Sequence, residues 1–276
     1  MMTTKRVAAR SRHRPNLAAG IPGVAVAMAL VAAAFFGIPF IALLVDITWS
    51  ELPELLTSRS ALDALWLSLR TAVAATLICI ALGIPLALVL ARTEFPGRTL
   101  TRSIVLVPLV IPPVVAGIIL TEAFGRRGLL GEQLSAFGLD ISFTTAAVVM
   151  AQTFVSLPFM VTSLESHLGS SGQHYERTAQ SLGASKWRTF TTITLPLLRP
   201  GLISGTVLTF ARALGEFGAT ITFAGSLQGT TRTMPLEIYL ARETDPDAAV
   251  ALSLVLILVA VAVIAVAYFR PATNQS

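Results

Sequence analysis

The chain has 276 residues, of which 54% are hydrophobic and 13% are charged, with a mean hydropathy of +0.75 and a net charge of +5. Soluble domains carry about 25% charged residues, so this composition excludes an ordinary soluble globule and favours a protein solvated by lipid. The positive charge does not indicate nucleic-acid binding, because the basic residues flank apolar runs and form no basic face with interleaved aromatic residues.

Six apolar runs are long enough to cross a membrane, since about 20 apolar residues span the roughly 30 Å hydrocarbon core as a helix. Only a helix satisfies its own backbone polar groups in lipid, so the predicted fold class is all-α, a polytopic membrane protein with six transmembrane helices. The predicted spans are residues 24–45, 65–91, 103–121, 143–164, 202–224 and 248–269.

These spans divide the chain into a basic N-terminal tail (1–20), a membrane domain (21–270) and a short C-terminal tail (271–276). The first run is about 22 residues long, which exceeds the usual apolar core of a signal peptide, so we expect it to be retained. With the N-terminus inside, thirteen Lys and Arg residues fall on the inner side and six on the outer side. This distribution predicts that both termini lie in the cytoplasm.

The third predicted span contains Pro112 and Pro113. Each proline removes a backbone donor and tends to kink a helix. Two interpretations remain open: prolines are simply commoner in membrane helices, or bent helices line a central translocation pathway. The cluster of prolines in this span favours the pathway.

The loop at about 165–200 is the longest inner connection and has a helical pattern. Ala179 and Leu182 share a helix face, and Gly183 is placed to end that helix. A second amphipathic helix is predicted to follow, and Pro196 and Pro200 are expected to break the pattern before the fifth span. Periodicity alone leaves two functions open, docking into a groove on a partner and lying on lipid head groups.

This loop resembles the "EAA" loop of binding-protein-dependent ABC importer permeases, through Glu176, Ala179, Gly183 and the Ile193-x-Leu195-Pro196 frame. Arg177 and Thr178 depart from the family's usual triplet. The resemblance implies a type I ABC importer permease fold, in which the loop is the coupling helix that docks on the ATP-hydrolysing subunit. The implied coupling residues are Glu176, Ala179, Leu182, Gly183, Ala184, Ile193, Leu195 and Pro196.

The chain contains no Gly-x-x-x-x-Gly-Lys-Ser/Thr motif, which indicates that any ATPase is a separate polypeptide and that this chain binds no nucleotide cofactor. The chain also contains no Gly-x-Ser-x-Gly motif, which would have indicated an enzyme with a serine nucleophile. The three histidines and the single cysteine do not suggest a metal site. We therefore predict no catalytic residue and no metal ligand.

Arg212 lies about midway along the fifth predicted span, and Glu216 follows four residues later. An arginine in mid-membrane is costly and normally faces the protein interior with a partner. The spacing places both side chains within pairing distance on one helix face, and Gly215 and Gly218 allow a close helix approach. The pair is either an internal packing element or a positive element in an anion pathway, and both interpretations remain open.

Residues 211–223 resemble the molybdate branch of the oxyanion permeases, and residues 229–239 support the same branch. The resemblance implies molybdate import across the plasma membrane of a prokaryote, without excluding tungstate. The implied partners are a second copy of this permease, two ATPase subunits, an extracytoplasmic binding protein and membrane lipid. The alternatives are a sulfate or thiosulfate permease and, from another class, an ion-gradient-driven secondary carrier.

Overall fold

The computed structural model describes residues 22–50, 52–171 and 173–268, and all regular secondary structure in these ranges is helical. The tails predicted at 1–20 and 271–276 lie outside the described residues. The chain forms two compact units, Met1–Asp46 and Ile47–Ser276. In the first unit the described element is α1 (Gly23–Asp46), a 24-residue helix that matches the first predicted span.

The second unit contains the remaining predicted spans, connected by short helices. Its long helices are α3 (Arg59–Arg92), α7 (Thr145–Ser171), α10 (Leu195–Leu214) and α13 (Pro246–Tyr268). With α1, these make five helices that are long and apolar enough to cross a membrane. Short helices α2 (Leu52–Thr57), α6 (Gly131–Ala136) and α12 (Met234–Thr244) lie in the segments predicted to be outside.

The third predicted span is not one helix, which corrects the prediction of a continuous run at 103–121. It consists of α4 (Arg98–Leu106), a 3₁₀ turn (Val107–Leu109) and α5 (Pro113–Phe124), and its two halves are bent by 119°. Pro112 has extended backbone angles (φ −57°, ψ 139°), and Pro113 begins α5. The residue before a proline is disfavoured in the helical region, so the Pro-Pro pair ends one helix and starts another.

The fifth predicted span is also divided, which corrects the prediction of a helix over 202–224. Helix α10 ends at Leu214, and a short helix α11 (Gly218–Phe223) follows after Gly215, Glu216 and Phe217. Arg212 therefore lies in the last turn of α10 rather than in the middle of a helix. Glu216 lies between the two helices.

The core of the second unit is the packing of α3, α7 and α10 against one another. One group of buried residues joins all three helices: Cys79, Leu90, Met160, Leu164 and Leu198. A second group joins α5, α7 and α11 through Leu120, Val155 and Phe223. These contacts hold the divided spans against the continuous helix α7.

Candidate functional site

The inner loop folds as a short helix, a tight turn and a second short helix. Helix α8 (His174–Ser181) ends before Gly183, whose φ of +87° lies in the left-handed region that favours glycine. The amide of Ala184 donates to the carbonyl oxygen of Ala179 at 3.0 Å, and this bond closes the turn. The predicted residues Ala179, Gly183 and Ala184 are therefore parts of one capping motif, and Gly183 ends the first helix as predicted.

The tip of this loop presents apolar side chains. Leu182 is 83% exposed and Trp187 is 73% exposed. Helix α9 (Lys186–Thr189) is capped by Ser185, whose hydroxyl accepts a hydrogen bond from the amide of Arg188 at 3.3 Å. Large exposed apolar side chains on a well-capped turn are typical of an interaction surface.

Glu176 lies beneath the loop rather than on its tip. Its carboxylate is 3.2 Å from a guanidinium nitrogen of Arg92, the last residue of α3, and accepts a 2.8 Å hydrogen bond from the hydroxyl of Thr194. The Glu176 side chain is only 13% exposed. Glu176 thus ties α8 to the end of α3 and to the start of α10.

The helix that follows the loop is not broken by its prolines, which corrects the prediction for Pro196 and Pro200. A π-helical segment (Phe190–Thr194), which includes Ile193, joins α9 to α10, and Leu195 and Pro196 are the first residues of α10. The amide of Leu195 donates to the carbonyl of Phe190, five residues back. This change of hydrogen-bond register accommodates Pro196, which has no amide proton, without ending the helix.

Arg212 and Glu216 form the ion pair that their spacing predicts, between Nη1 and Oε2. The other carboxylate oxygen accepts from the amide of Ala219 in α11 at 2.7 Å. Glu216 is 1% exposed, whereas the Arg212 side chain is 27% exposed. The carboxylate therefore joins α10 to α11, and the guanidinium is the more exposed member of the pair.

Of the proline pair and the two glycines predicted near this ion pair, Pro113 and Gly218 are in close contact. A Cβ atom on Gly218 would lie 2.7 Å from Cβ of Pro113, so glycine is required where α11 meets α5. Gly215 is exposed at the end of α10, and the nearest atom to its Cβ position is 3.6 Å away. Pro112 is exposed beside Pro113.

Two sets of polar residues in the structure were not anticipated. Arg92 and Thr194 hold Glu176, and no motif in the sequence identifies either residue as its partner. Gln152, Ser156, Thr209 and Thr220 are fully buried, and their side-chain polar atoms have no hydrogen-bond partner among the described residues. A polar residue in an apolar run such as Gln152 is the sequence feature that could have identified this second set.

The chain is similar to known proteins in both sequence and fold. Residues 83–275 match the family described as "Binding-protein-dependent transport system inner membrane component". The solved structure of a bacterial alginate ABC transporter, in complex with an alginate pentasaccharide-bound periplasmic protein, has a similar fold. Its TM-score is 0.71 at 21% identity, covering 88% of this chain and 92% of that one.

Curated relatives are considerably more similar in sequence. The molybdenum transport system permease ModB of Mycobacterium tuberculosis is 54% identical, over 80% of this chain and 84% of its own length. ModB of Escherichia coli K12 is 45% identical, over 66% and 80% respectively. The sulfate transport system permease CysT of Escherichia coli K12 is 35% identical, over 75% of each chain. The chain therefore belongs to the family of binding-protein-dependent transport system inner membrane components.

Proposed function

We propose that this chain is the translocating permease of a molybdate importer, and that tungstate is carried by the same route. The observation that carries the proposal is the difference in similarity between relatives. Permeases named for molybdenum are 45–54% identical to this chain, and the sulfate permeases CysT and CysW are 35% and 38% identical. Residues 211–223, which resemble the molybdate branch, include the Arg212–Glu216 ion pair.

Energy for import would come from ATP hydrolysed by a separate subunit, and this chain would catalyse no covalent step. The loop 174–189 is the proposed docking element, because its exposed Leu182 and Trp187 suit a groove on a partner. Its base is fixed by Glu176 to α3 and α10, so a force on the tip is transmitted to two core helices. The proposed assembly has two permease copies, two ATPase subunits and one extracytoplasmic binding protein, with both permease termini in the cytoplasm.

Arg212 is the proposed cationic element of the pathway. A guanidinium offers a planar array of N–H donors that matches oxyanions. The ion pair with Glu216 reduces its net charge, so an arriving anion would be held weakly enough to leave. The neighbouring break between α10 and α11, which precedes the contact of Gly218 with Pro113, would line the pathway beside Arg212.

The test is uptake of labelled molybdate by a permease-null strain that expresses this chain with its ATPase and binding protein. Excess tungstate is expected to inhibit uptake strongly, and equimolar sulfate is expected to inhibit it weakly. Preferential inhibition by sulfate would assign the chain to the sulfate permeases, the second candidate that its similarity to CysT supports. Absence of molybdate uptake by the wild type would refute the proposed function.

A further inference from the structure

A cavity of about 510 Å³ lies beneath the loop, between the end of α3, α8, α9 and the π-helical segment. Its lining includes three cationic side chains and one carboxylate: Arg92, Arg177, Lys186 and Glu176. The cavity is separate from the Arg212–Glu216 pair, which is not among its lining residues. With the topology predicted from the basic residues, it faces the cytoplasm.

The charge in this cavity is not balanced. Glu176 is already committed to Arg92 and to the Thr194 hydroxyl. Arg177 donates to the side-chain oxygen of Gln173 at 2.9 Å, and this neutral amide leaves its charge uncompensated. Lys186 forms no ion pair within the described residues. Arg177 and Lys186 are both exposed residues that line the cavity, and neither has an ion-pair partner in the part of the chain that the structure describes.

A buried hydroxyl provides a second, independent observation. Thr189 lines the cavity and is only 3% exposed. Its Oγ1 has no hydrogen-bond partner among the residues that the structure describes. Buried hydroxyl groups are normally hydrogen-bonded, and a ligand with acceptor atoms in the cavity would satisfy this one.

We propose that this cavity binds a small tetrahedral oxyanion. Lys186 would supply a point charge, Arg177 a planar pair of donors and Thr189 the buried hydroxyl donor. Hydrogen bonds from cations to such an anion are roughly twice as strong as neutral ones. Molybdate, sulfate and the phosphate group of a lipid share this chemistry. The existence of the site does not depend on the proposed function. Only the statement that its ligand is the transported anion rests on that function.

The test uses the full chain in phosphatidylcholine nanodiscs, with Trp187 as the probe. Trp187 adjoins Lys186, and its ring lies 5.7 Å from that of Phe190, which lines the cavity. Replacing Trp49 and Trp66 with Phe leaves Trp187 as the sole tryptophan of the chain. Titration with sodium molybdate, and separately with inorganic phosphate, is expected to give a saturable change in Trp187 fluorescence.

Two variants and one matched control decide whether the cavity is responsible. Lys186→Gln and Thr189→Val are each expected to weaken binding about tenfold, the scale of one charge-assisted hydrogen bond. Arg188→Gln removes one positive charge from the same helix outside the cavity and is expected to leave affinity within about twofold. Equal losses in all three variants, or a response reproduced by chloride at matched ionic strength, would overturn the site.

Further arms distinguish the sources of the anion. Nanodiscs containing phosphatidylglycerol that give the Trp187 change without added oxyanion would identify a lipid phosphate as the ligand. The proposal would be overturned if the wild-type chain gave no saturable response and the variants lost only their association with the ATPase. The cations would then pair with an acidic side chain of the ATPase. Intact molybdate uptake beside a failed titration would refute the cavity site alone and leave the proposed function standing.

Discussion

At the scale of single residues, the clearest result concerns Glu176. The resemblance places Glu176 in the coupling loop, and the structure shows its carboxylate held by Arg92 and Thr194 inside the permease. Both members of the ion pair are largely buried, with side chains 17% and 13% exposed. Removing one member of such a pair costs more than at the surface, because the other charge is left buried without compensation.

Glu176→Gln is expected to loosen the loop while leaving the membrane helices folded. The amide can still accept from Thr194, but it cannot compensate Arg92, which remains partly buried with its charge. A double-mutant cycle with Arg92→Gln is expected to give a coupling of about 1 kcal/mol, measured by thermal unfolding in detergent. Strictly additive single effects would show that the pair does not stabilise the loop.

Arg212→Ala is expected to reduce molybdate uptake at least tenfold and to lower the unfolding temperature, because Glu216 is left buried without its cation. The double variant Arg212→Ala with Glu216→Gln restores neutrality and is expected to recover stability but not uptake. Co-purification of the ATPase should be unchanged in both variants. Recovery of uptake in the double variant would show that the pair serves only packing.

At the scale of secondary structure, apolar run length predicted where helices lie but not where they are divided. Most residues in 103–121 and 202–224 are apolar, which suggests a single helix for each range. Each range nevertheless contains a break. The first break follows from the Pro112–Pro113 pair, whose consequence for backbone angles is local and could have been predicted. The second is accompanied by a local contact, from Glu216 to the amide of Ala219, and by a tertiary one, the packing of Gly218 against Pro113, which no local pattern reveals.

Gly218→Ala is expected to separate α11 from α5, because its Cβ would lie 2.7 Å from Cβ of Pro113. A cost of about 1–3 kcal/mol is typical when a methyl group is forced into a packed interface. Gly215→Ala, three residues earlier, meets no atom closer than 3.6 Å and serves as the matched control. The two measurements are the thermal unfolding temperature and molybdate uptake of each variant. Equal unfolding temperatures and equal uptake in the two variants would contradict close packing at Gly218.

Gly183→Val is expected to uncouple the ATPase from transport while leaving the membrane helices folded. Nothing lies within 4 Å of the Gly183 Cβ position, so the effect must come from its φ of +87° and not from crowding. A β-branched residue there costs about 1–2 kcal/mol, and Gly183→Asn is the control because asparagine tolerates this conformation. Normal uptake by the Gly183→Val variant would contradict a coupling role for the turn.

At the scale of the whole molecule, composition and resemblance predicted the helical membrane fold and the permease family, and both are confirmed. Long apolar runs are predictable because lipid permits few backbone conformations. The roles of Arg92, Thr194 and the cavity at Thr189 were not predictable, because they depend on contacts between distant parts of the chain; Arg92 and Glu176, for example, are 84 positions apart. The coupling and pathway residues remain predictions that the variants above test.

The central claim is that this permease imports molybdate with energy from a separate ATPase. The most direct measurement is molybdate accumulation in proteoliposomes that contain the permease with its ATPase, supplied with binding protein and ATP. We expect accumulation to require the ATPase, the binding protein and ATP, and to continue when ion gradients are collapsed. Accumulation driven by an ion gradient without the ATPase would contradict the claim and identify a secondary carrier.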